Sequence, residues 1–260
     1  MRPYVVRFVS RRSGVGKTWV ASRLARRLLE AGYSVGVVKH SASGIALEEK
    51  DSKRYLEAGV PLVVVAGRDI AVFYTRELVD DLGELLRLVR KPLVLVEGFR
   101  GSDIGDSVVV SDDLGEASRL LERSTIAVVL TGETRIPGVT DLGGIPVFYS
   151  DSIDRLSDVL VERALNHLLG QLPGLNCGLC GFETCRSLAL KVLKGAEAVC
   201  PVLLDVRLVV DGREVRLNPF VKNVVSSVIR GMVSVLKDVP RDAEVIRLEV
   251  RRSGTDEIKK

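Results

Sequence analysis

A glycine-rich stretch, Gly14-Val-Gly-Lys-Thr18, joins an apolar segment to an amphipathic one. The apolar segment, Tyr4–Val9, is typical of a buried strand, and the amphipathic segment, Lys17–Glu30, is typical of a helix. A strand, a glycine turn and a helix in this order predict a phosphate-binding loop, because the turn's N–H groups and the positive end of the helix both attract anions. The stretch therefore predicts an α/β fold with this loop at the carboxyl ends of parallel strands.

Two side chains of the loop are candidates for nucleotide chemistry. Lys17 would reach the β- and γ-phosphates of a nucleoside triphosphate, and the Thr18 hydroxyl would bind Mg²⁺. The usual pattern, G-x-x-x-x-G-K-[ST], begins with a glycine, and Arg11 stands in its place. The alternative interpretation is a glycine turn that caps an ordinary helix.

The first 170 residues alternate between strand and helix patterns. This alternation predicts a mostly parallel sheet with helices on both faces, as in P-loop NTPases, over residues 1–170. The predicted strands are Tyr4–Val9, Ser34–Val38, Pro61–Val65, Leu93–Val96, Ile126–Leu130 and Pro146–Tyr149, and the predicted helices are Lys17–Glu30, Glu48–Glu57, Thr75–Val89 and Asp151–Leu169.

The remaining chain reads as two small modules. Residues 171–204 hold every cysteine, and residues 205–260 are expected to form a small α+β unit. An Asp211-Gly212 turn between Val206–Val210 and Val215–Leu217 predicts a hairpin. A helix from Pro219 to about Leu236 and a last strand, Glu244–Val250, are predicted to follow.

Bulk properties exclude several classes of partner. The net charge of +4 is too small to indicate a nucleic-acid partner. The longest apolar runs are far shorter than the ~18 residues that a membrane span requires. The N-terminus leads directly into a strand and lacks the pattern of a signal peptide, so we expect a cytoplasmic protein that binds neither nucleic acid nor membrane.

Polar residues follow two of the predicted strands. Glu97 ends the apolar strand Leu93–Val96, where a carboxylate could orient Mg²⁺ or water, and Gly98 would let the backbone approach the phosphates. Lys39 follows the second strand, and Asp51 and Arg54 open the next helix. Each has an alternative interpretation: Glu97 as a solvated strand-end carboxylate, and the others as helix caps or surface charges.

The four cysteines fall within 24 positions, in the spacing C-x₂-C-x₄-C-x₁₄-C. A cytosolic chain seldom forms structural disulfides, so the clustering of Cys177, Cys180, Cys185 and Cys200 indicates a metal or a cluster. A structural Zn²⁺ also takes four cysteines, usually as two C-x₂₋₄-C pairs. Here the fourth cysteine stands alone beside Pro201, as is common in iron–sulfur sites, and unliganded thiols are the third reading.

Residues 1 to about 170 resemble the molybdopterin-guanine dinucleotide biosynthesis protein B (MobB) family. The resemblance is carried by Ser13-Gly-Val-Gly-Lys-Thr18, Val37-Val-Lys-His40, Lys50-Asp-Ser-Lys-Arg54 and Leu93-Val-Leu-Val-Glu-Gly-Phe-Arg100, in this order and with similar gaps. It implies a dimeric P-loop protein that binds GTP and Mg²⁺, hydrolyses GTP slowly at most, and assists a partner molybdopterin nucleotidyltransferase. The residues it implies for nucleotide binding are Ser13, Gly14, Val15, Gly16, Lys17, Thr18, Trp19, Lys39, Asp51 and Arg54, with Lys17 and Glu97 as catalytic candidates and Thr18 and Glu97 as magnesium ligands.

Trp19, the single tryptophan, is also expected to pack the helix that follows the loop onto the sheet. GTP, rather than ATP, is implied by the resemblance alone, because the sequence contains no Asn-Lys-x-Asp motif that would read guanine.

A second resemblance covers Cys177 to about Cys200. Cys-Gly-x-Cys-Gly-x-x-x-Cys, followed by Leu188-Ala189, Lys194-Gly-Ala-Glu197 and a final cysteine, resembles the [4Fe–4S] domain of corrinoid iron–sulfur and electron-transport proteins. The combination implies a cluster-carrying protein of molybdenum or tungsten cofactor maturation, with a client molybdoenzyme or tungstoenzyme as a further partner. Its rivals are a nucleotide-dependent metal or cluster chaperone, a small-molecule kinase and a zinc-stapled binding module.

Overall fold

The computed structural model describes residues 1–41, 44, 50–75, 80–132, 136–204, 206–237, 239 and 245–250, except for the side chains of Lys50 and Asp51. The chain forms two compact units, Met1–Ala198 and Val199–Lys260. The three domains predicted from the sequence, 1–170, 171–204 and 205–260, stay a prediction. Within the ranges just given, no helix is long and apolar enough to cross a membrane.

A central sheet organises the first unit. In the described chain it has seven strands in the order β2-β5-β1-β6-β7-β9-β8, and all neighbours are parallel except β8 and β9. The prediction of a mostly parallel sheet with surrounding helices is therefore confirmed. The strands of this sheet are β1 Tyr4–Val9, β2 Val35–Lys39, β5 Leu93–Glu97, β6 Asp106–Ser111, β7 Thr125–Leu130, β8 Asp141–Leu142 and β9 Ile145–Tyr149.

Helices cover the sheet with apolar faces that the sequence pattern predicts. The helix after the glycine loop, α1, turns Val20, Ala21, Leu24 and Leu28 inward, at the spacing of one helical face. The other described helices are α2 Lys50–Glu57, α3 Leu82–Leu88, α4 Leu114–Ser118, α5 Ile153–Leu169, α6 Cys185–Leu193 and α7 Pro219–Ser234, with α1 spanning Lys17–Glu30 and a 3₁₀ turn at Pro201–Leu203.

Two regions differ from the prediction. Strand β6 lies beside β1 near the middle of the sheet, although the sequence reading placed no strand there. The segment predicted as one helix, Thr75–Val89, instead begins as the end of β4, Ala71–Thr75, and contains the shorter α3; residues 76–79 lie outside the described chain. Strand β4 pairs with β3, Leu62–Ala66, as an antiparallel hairpin separate from the central sheet.

The connection from β5 to β6 is short and crosses β1, because β1 lies between these two strands. Arg7 of β1 is fully buried, and its guanidinium donates hydrogen bonds to the carbonyls of Ile104 (2.9 Å), Phe99 (3.3 Å) and Arg100 (3.4 Å). Burial lowers the pKa of Arg7, while nearby carboxylates oppose this effect. The buried Arg7 side chain thus fixes the position of the backbone segment 99–104, which follows Glu97 and Gly98.

The second unit contains a short hairpin and one helix. Strands β10, Leu208–Val210, and β11, Arg213–Val215, are antiparallel and meet at Asp211 and Gly212, whose φ angles of 49° and 77° are left-handed. The predicted hairpin is therefore confirmed. The predicted last strand is wrong over the part that can be seen, because residues 245–250 are not a strand; Glu244 lies outside the described residues.

Candidate functional site

The glycine loop leaves β1 at the carboxyl edge of the sheet and leads into α1. Gly14 and Gly16 have φ angles of 81° and 91°, which side chains other than glycine adopt only with strain. Gly16 is the residue directly before α1. The loop therefore presents the positive end of a 14-residue helix, together with its first N–H groups, at the carboxyl edge of the sheet.

Contacts from neighbouring strands brace this loop. The Thr131 hydroxyl, directly after β7, donates to the carbonyl of Val15 at 2.7 Å. The Arg12 guanidinium pairs with Asp112, directly after β6, at 2.7 Å and with Glu116 at 3.3 Å. The loop is thus held to the ends of two strands on one side of β1.

Lys17 is folded over the loop. Its ammonium donates to the Ser10 hydroxyl at 2.5 Å and to the Arg12 carbonyl at 3.2 Å. These neutral oxygens are weaker partners for an ammonium group than anionic phosphate oxygens are. The lysine is therefore placed beside the glycine turn with donors that an anion could recruit.

Three predicted site residues meet on the other side of β1. The Thr18 hydroxyl donates to Glu97 Oε1 at 2.7 Å. Lys39 Nζ lies 3.1 Å from Glu97 Oε2 and 3.3 Å from Thr18 Oγ1. These side chains come from α1, β5 and β2, so parallel pairing of β2 with β5 brings Lys39 beside Glu97. The result is a carboxylate and a hydroxyl that share one cation.

Gly98 sets the shape of the chain directly after Glu97. Its φ of 101° is left-handed, and an added Cβ would lie 2.9 Å from the Cβ of His40. The backbone N–H of His40 donates to the Glu97 carbonyl at 2.9 Å, and its ring lies 2.9 Å from Asp80 Oδ2. A side chain at position 98 would therefore separate the ends of β2 and β5.

The other predicted nucleotide residues lie as follows. Ser13 is exposed in the loop, and Arg54 is exposed on α2. The side chain of Asp51 lies outside the described residues. Trp19 was expected to pack against the sheet, and this is wrong: its side chain is 43% exposed, and the Arg23 guanidinium lies 5.7 Å from its ring.

The sequence reading missed Ser10, Arg12, Asp112 and Thr131 as site residues. These residues share one feature that a sequence can reveal: each lies directly after a strand of the sheet or within the loop. Asp112 could not be found in this way, because β6 itself went unrecognised. Thr131 could have been found, because it directly follows the predicted strand Ile126–Leu130.

The cysteines have different surroundings, and none of the four forms a disulfide bond. Cys177 is exposed, Cys180 is half-buried, and Cys185 and Cys200 are buried. The first three belong to the first compact unit and Cys200 to the second. In the described part of the chain, no three or more His, Cys, Asp or Glu side chains are grouped so that they could hold a metal ion.

The segment before α6 contains several left-handed backbone positions. Asn176, Gly178 and Gly181 have φ angles of 47°, 72° and 81°. The Asn176 side chain accepts a hydrogen bond from the N–H of Cys185 at 2.8 Å, and Thr184 caps α6. The N–H of Gly181 donates to the Gly178 carbonyl at 2.9 Å, so the chain makes a tight turn between Cys177 and Cys185.

The strand, loop and helix define a P-loop protein of the α/β class. A family model described as "MobB: Molybdopterin guanine dinucleotide synthesis protein B" matches residues 5–131, and one described as "Putative Fe-S cluster" matches residues 172–202. The chain therefore carries a MobB-family domain followed by a domain of that iron–sulfur family.

Similar proteins agree with this assignment. A Methanocaldococcus jannaschii relative named "Putative molybdopterin-guanine dinucleotide biosynthesis adapter protein" is 26% identical over 246 residues, covering 90% of this chain and 92% of the relative. An Escherichia coli K12 relative, "Molybdopterin-guanine dinucleotide biosynthesis adapter protein", is 26% identical over 58% of this chain and 87% of its own length. The crystal structure of Bacillus subtilis MobB, with a TM-score of 0.51 and 24% identity over 62% of this chain and 97% of that one, shares the fold.

Proposed function

We propose that this chain is a GTP-binding adapter of molybdopterin guanine dinucleotide biosynthesis that carries a [4Fe–4S] cluster. It would act in the cytoplasm as a homodimer, beside a molybdopterin nucleotidyltransferase and a client molybdoenzyme or tungstoenzyme. The names of the two curated relatives support the pathway and the adapter role. The single observation that carries the nucleotide part is the braced glycine loop with Lys17 folded over it.

The loop supplies the phosphate site of this proposal. N–H groups from Gly14 to Thr18 would face the phosphate oxygens, and Lys17 would exchange Ser10 Oγ and the Arg12 carbonyl for the β- and γ-phosphates. Ser13 and Trp19 flank this turn, and Asp51 and Arg54 stay candidates for contacts to phosphate or partner. An exchange of neutral for anionic acceptors favours binding, since charge-assisted hydrogen bonds are the stronger ones.

The Thr18–Glu97 pair fits a magnesium ion. Mg²⁺ prefers oxygen ligands and keeps several waters, so one carboxylate and one hydroxyl beside the phosphates suffice. The Lys39 ammonium already lies within 3.1–3.3 Å of oxygens from both residues, which indicates that the position attracts a cation. When bound, the metal would neutralise phosphate charge.

Slow hydrolysis is consistent with these contacts. Both oxygens of Glu97 accept hydrogen bonds, from Thr18 and Lys39. A carboxylate held in this way is poorly suited to take a proton from an attacking water. We therefore assign Lys17 and Glu97 to charge neutralisation and metal positioning, and we expect the protein to hold GTP longer than it hydrolyses it.

The cysteine segment supports an iron–sulfur cluster through its donor chemistry and its family match, while its thiols are not grouped around a metal position in the described residues. Four thiolates are the usual ligands of a [4Fe–4S] cluster. The proposed ligands are Cys177, Cys180, Cys185 and Cys200, none of which forms a disulfide bond. Gly178 and Gly181 directly follow Cys177 and Cys180, so the backbone beside these thiols carries no side chain that would obstruct a cluster. When bound, the cluster would supply structural support or electron transfer.

Nucleotide binding by the wild-type protein and Lys17→Ala tests the proposal. We expect GTP to bind more tightly than ATP, and Lys17→Ala to lose about 100-fold in affinity for either, because a charge-assisted bond to phosphate is removed. Lys191→Ala, which removes an exposed lysine from α6, is the matched control and should bind normally. Titration calorimetry with Mg²⁺ present measures both. Unchanged binding in Lys17→Ala would refute the phosphate site.

A further inference from the structure

A cavity of about 340 Å³ opens beside the glycine loop. One wall is the loop at Gly14–Gly16, and Trp19 of α1 adds an aromatic surface. The opposite wall is formed by Asp112, Thr131 and Ser150, which directly follow β6, β7 and β9. Ligand cavities in proteins commonly begin at about 300 Å³, so this space is large enough for a purine base.

The order of the strands places this cavity on the opposite side of β1 from Thr18, Glu97 and Lys39. Thr18, Glu97 and Lys39 lie toward β5 and β2 on one side of β1, and the cavity lies toward β6, β7 and β9 on the other. A triphosphate whose terminal phosphates face Thr18 and Glu97 must extend its nucleoside away from them. The cavity occupies the side of the loop to which the nucleoside would extend.

Asp112 is the carboxylate in this cavity wall. Its side chain is 42% exposed, and Oδ1 is held at 2.7 Å by the Arg12 guanidinium, which Glu116 holds in turn. An ionised carboxylate offers about four acceptor positions, so the pair with Arg12 leaves capacity for further donors. The ion pair fixes the orientation of a group that can accept hydrogen bonds from a ligand.

Trp19 and Thr131 complete the surroundings of a base. The Trp19 indole is 43% exposed at the cavity wall and offers a flat apolar surface for stacking, an interaction worth about 1–3 kcal/mol per base. The Thr131 hydroxyl is engaged by the Val15 carbonyl, so it braces the wall. A flat aromatic surface near an acceptor-only group suits a ring whose edge carries two adjacent donors.

We propose that the cavity is the base site of the nucleotide and that Asp112 reads the Watson–Crick edge of guanine. The carboxylate would accept hydrogen bonds from the guanine ring N–H and exocyclic amino group, whereas adenine presents a bare acceptor nitrogen at the corresponding ring position. A site built to pair with donors rejects a base that lacks them, because its polar group is left unpaired. This inference rests on the proposed nucleotide function and adds the residue that selects the base.

Asp112→Asn gives a change of specificity that a structural role would not produce. The amide keeps one acceptor and gains a donor, which suits xanthine, whose carbonyl replaces the amino group of guanine. We expect the ratio of GTP to ATP affinity to fall at least 10-fold and the ratio of XTP to ATP affinity to rise at least 10-fold. A loss of loop bracing through Arg12 would lower all three affinities alike and leave these ratios unchanged. Wild-type protein should also prefer GTP over ITP, which lacks the amino group. Asp158→Asn, the same change on the exposed surface of α5, is the control and should keep the wild-type preference.

The outcomes separate the base site from the phosphate site. If Asp112→Asn keeps the wild-type order of GTP, ITP and XTP while Lys17→Ala loses them all, the base site is refuted and the phosphate loop stands. If the wild-type protein binds none of these nucleotides, the proposed function fails and this inference fails with it. If the preference shifts from GTP to XTP in Asp112→Asn alone, Asp112 is the residue that selects the guanine base.

Discussion

Glu97 is the residue on which the metal side of the site depends. It accepts hydrogen bonds from a helix residue, Thr18, and from a residue on the neighbouring strand, Lys39. Its side chain is only 13% exposed, so its charge is less screened by solvent than that of a surface carboxylate. Removing this charge should therefore weaken the binding of any cation that takes the place of the Lys39 ammonium.

We predict that Glu97→Gln reduces the dependence of nucleotide binding on Mg²⁺. The amide keeps the shape and one acceptor for Thr18 but loses the charge that attracts the metal. The gain in GTP affinity on adding Mg²⁺ should shrink by about 10-fold, as is common when a residue that supports a metal is changed. Calorimetry with Mg²⁺ and with EDTA measures this gain. Glu30→Gln, at the exposed end of α1, should keep the full gain; an undiminished gain in Glu97→Gln would contradict the metal role.

The sequence predicted much of this side of the site, because its signal is local. Lys17 and Thr18 belong to a motif, and Lys39 and Glu97 each end a recognisable apolar strand. The ion-pair partners of Arg12, Asp112 and Glu116, could not be predicted from the sequence, because they lie about 100 positions away. Trp19 was misplaced since an aromatic residue on an amphipathic helix usually faces the core, and here it is exposed.

Among the elements, β1, β6 and α5 are joined by polar contacts at the amino edge of the sheet. The Tyr4 hydroxyl donates to Asp106 Oδ2 at 2.6 Å, and Arg163 of α5 donates to the same oxygen at 3.0 Å. Burial raises the pKa of Tyr4 above its ordinary value of 10.0, and the hydrogen bond to Asp106 and the charge of Asp106 raise it further. The folded protein thus keeps this proton at a pH where the unfolded chain has released it.

This difference predicts a loss of stability in alkaline solution. The contribution of Tyr4 is complete below pH 10 and declines above it, by about 1.4 kcal/mol per pH unit for one proton. Tyr4→Phe should lose about 1 kcal/mol of unfolding free energy at neutral pH, the usual value of one hydrogen bond, and should lose less on going to alkaline pH. Urea denaturation between pH 7 and pH 11 measures both effects, with Tyr33→Phe as the control. An equally steep decline in Tyr4→Phe would show that other groups cause it.

Strand β6 was not predicted from the sequence, because its polar ends hide a strand that lies near the middle of the sheet. Strand β6 begins and ends in polar residues, Asp106 and Ser111, and its apolar core is short. Strand β6 reaches its central place because the connection from β5 crosses β1. Arg7 of β1 stabilises this connection by hydrogen bonds to three of its carbonyls. Such long-range hydrogen bonds leave no periodic signal, so the sequence predicted the class of the sheet but not this strand.

For the whole molecule, the cysteines and the nucleotide residues are separate sets. Lys17, Thr18 and Glu97 lie in the first compact unit, far in sequence from the first cysteine, Cys177. Cys200 lies in the second unit, whose described residues are otherwise mostly exposed. The contacts that hold Lys17, Thr18 and Val15 involve no cysteine, so loss of a cluster should leave the phosphate loop intact.

We predict that anaerobically purified protein holds about four irons per chain with acid-labile sulfide, and that Cys200→Ser loses most of both. Its GTP affinity should stay within about 2-fold of wild type, because each contact around the loop is made within the first unit. Iron and sulfide assays and calorimetry on the same samples measure this, with Ser227→Ala as the control in the second unit. One zinc per chain without sulfide would favour the zinc-stapled module instead.

The bracing of the glycine loop has a kinetic consequence. Thr131 and Arg12 hold the loop in shape before any nucleotide arrives, so little backbone freedom is lost when one binds. Association should then occur in a single fast phase, limited by diffusion and by the release of Lys17 from Ser10, with no slow ordering step. A loop that is shaped in advance can therefore take up an anion without a preceding change in its backbone.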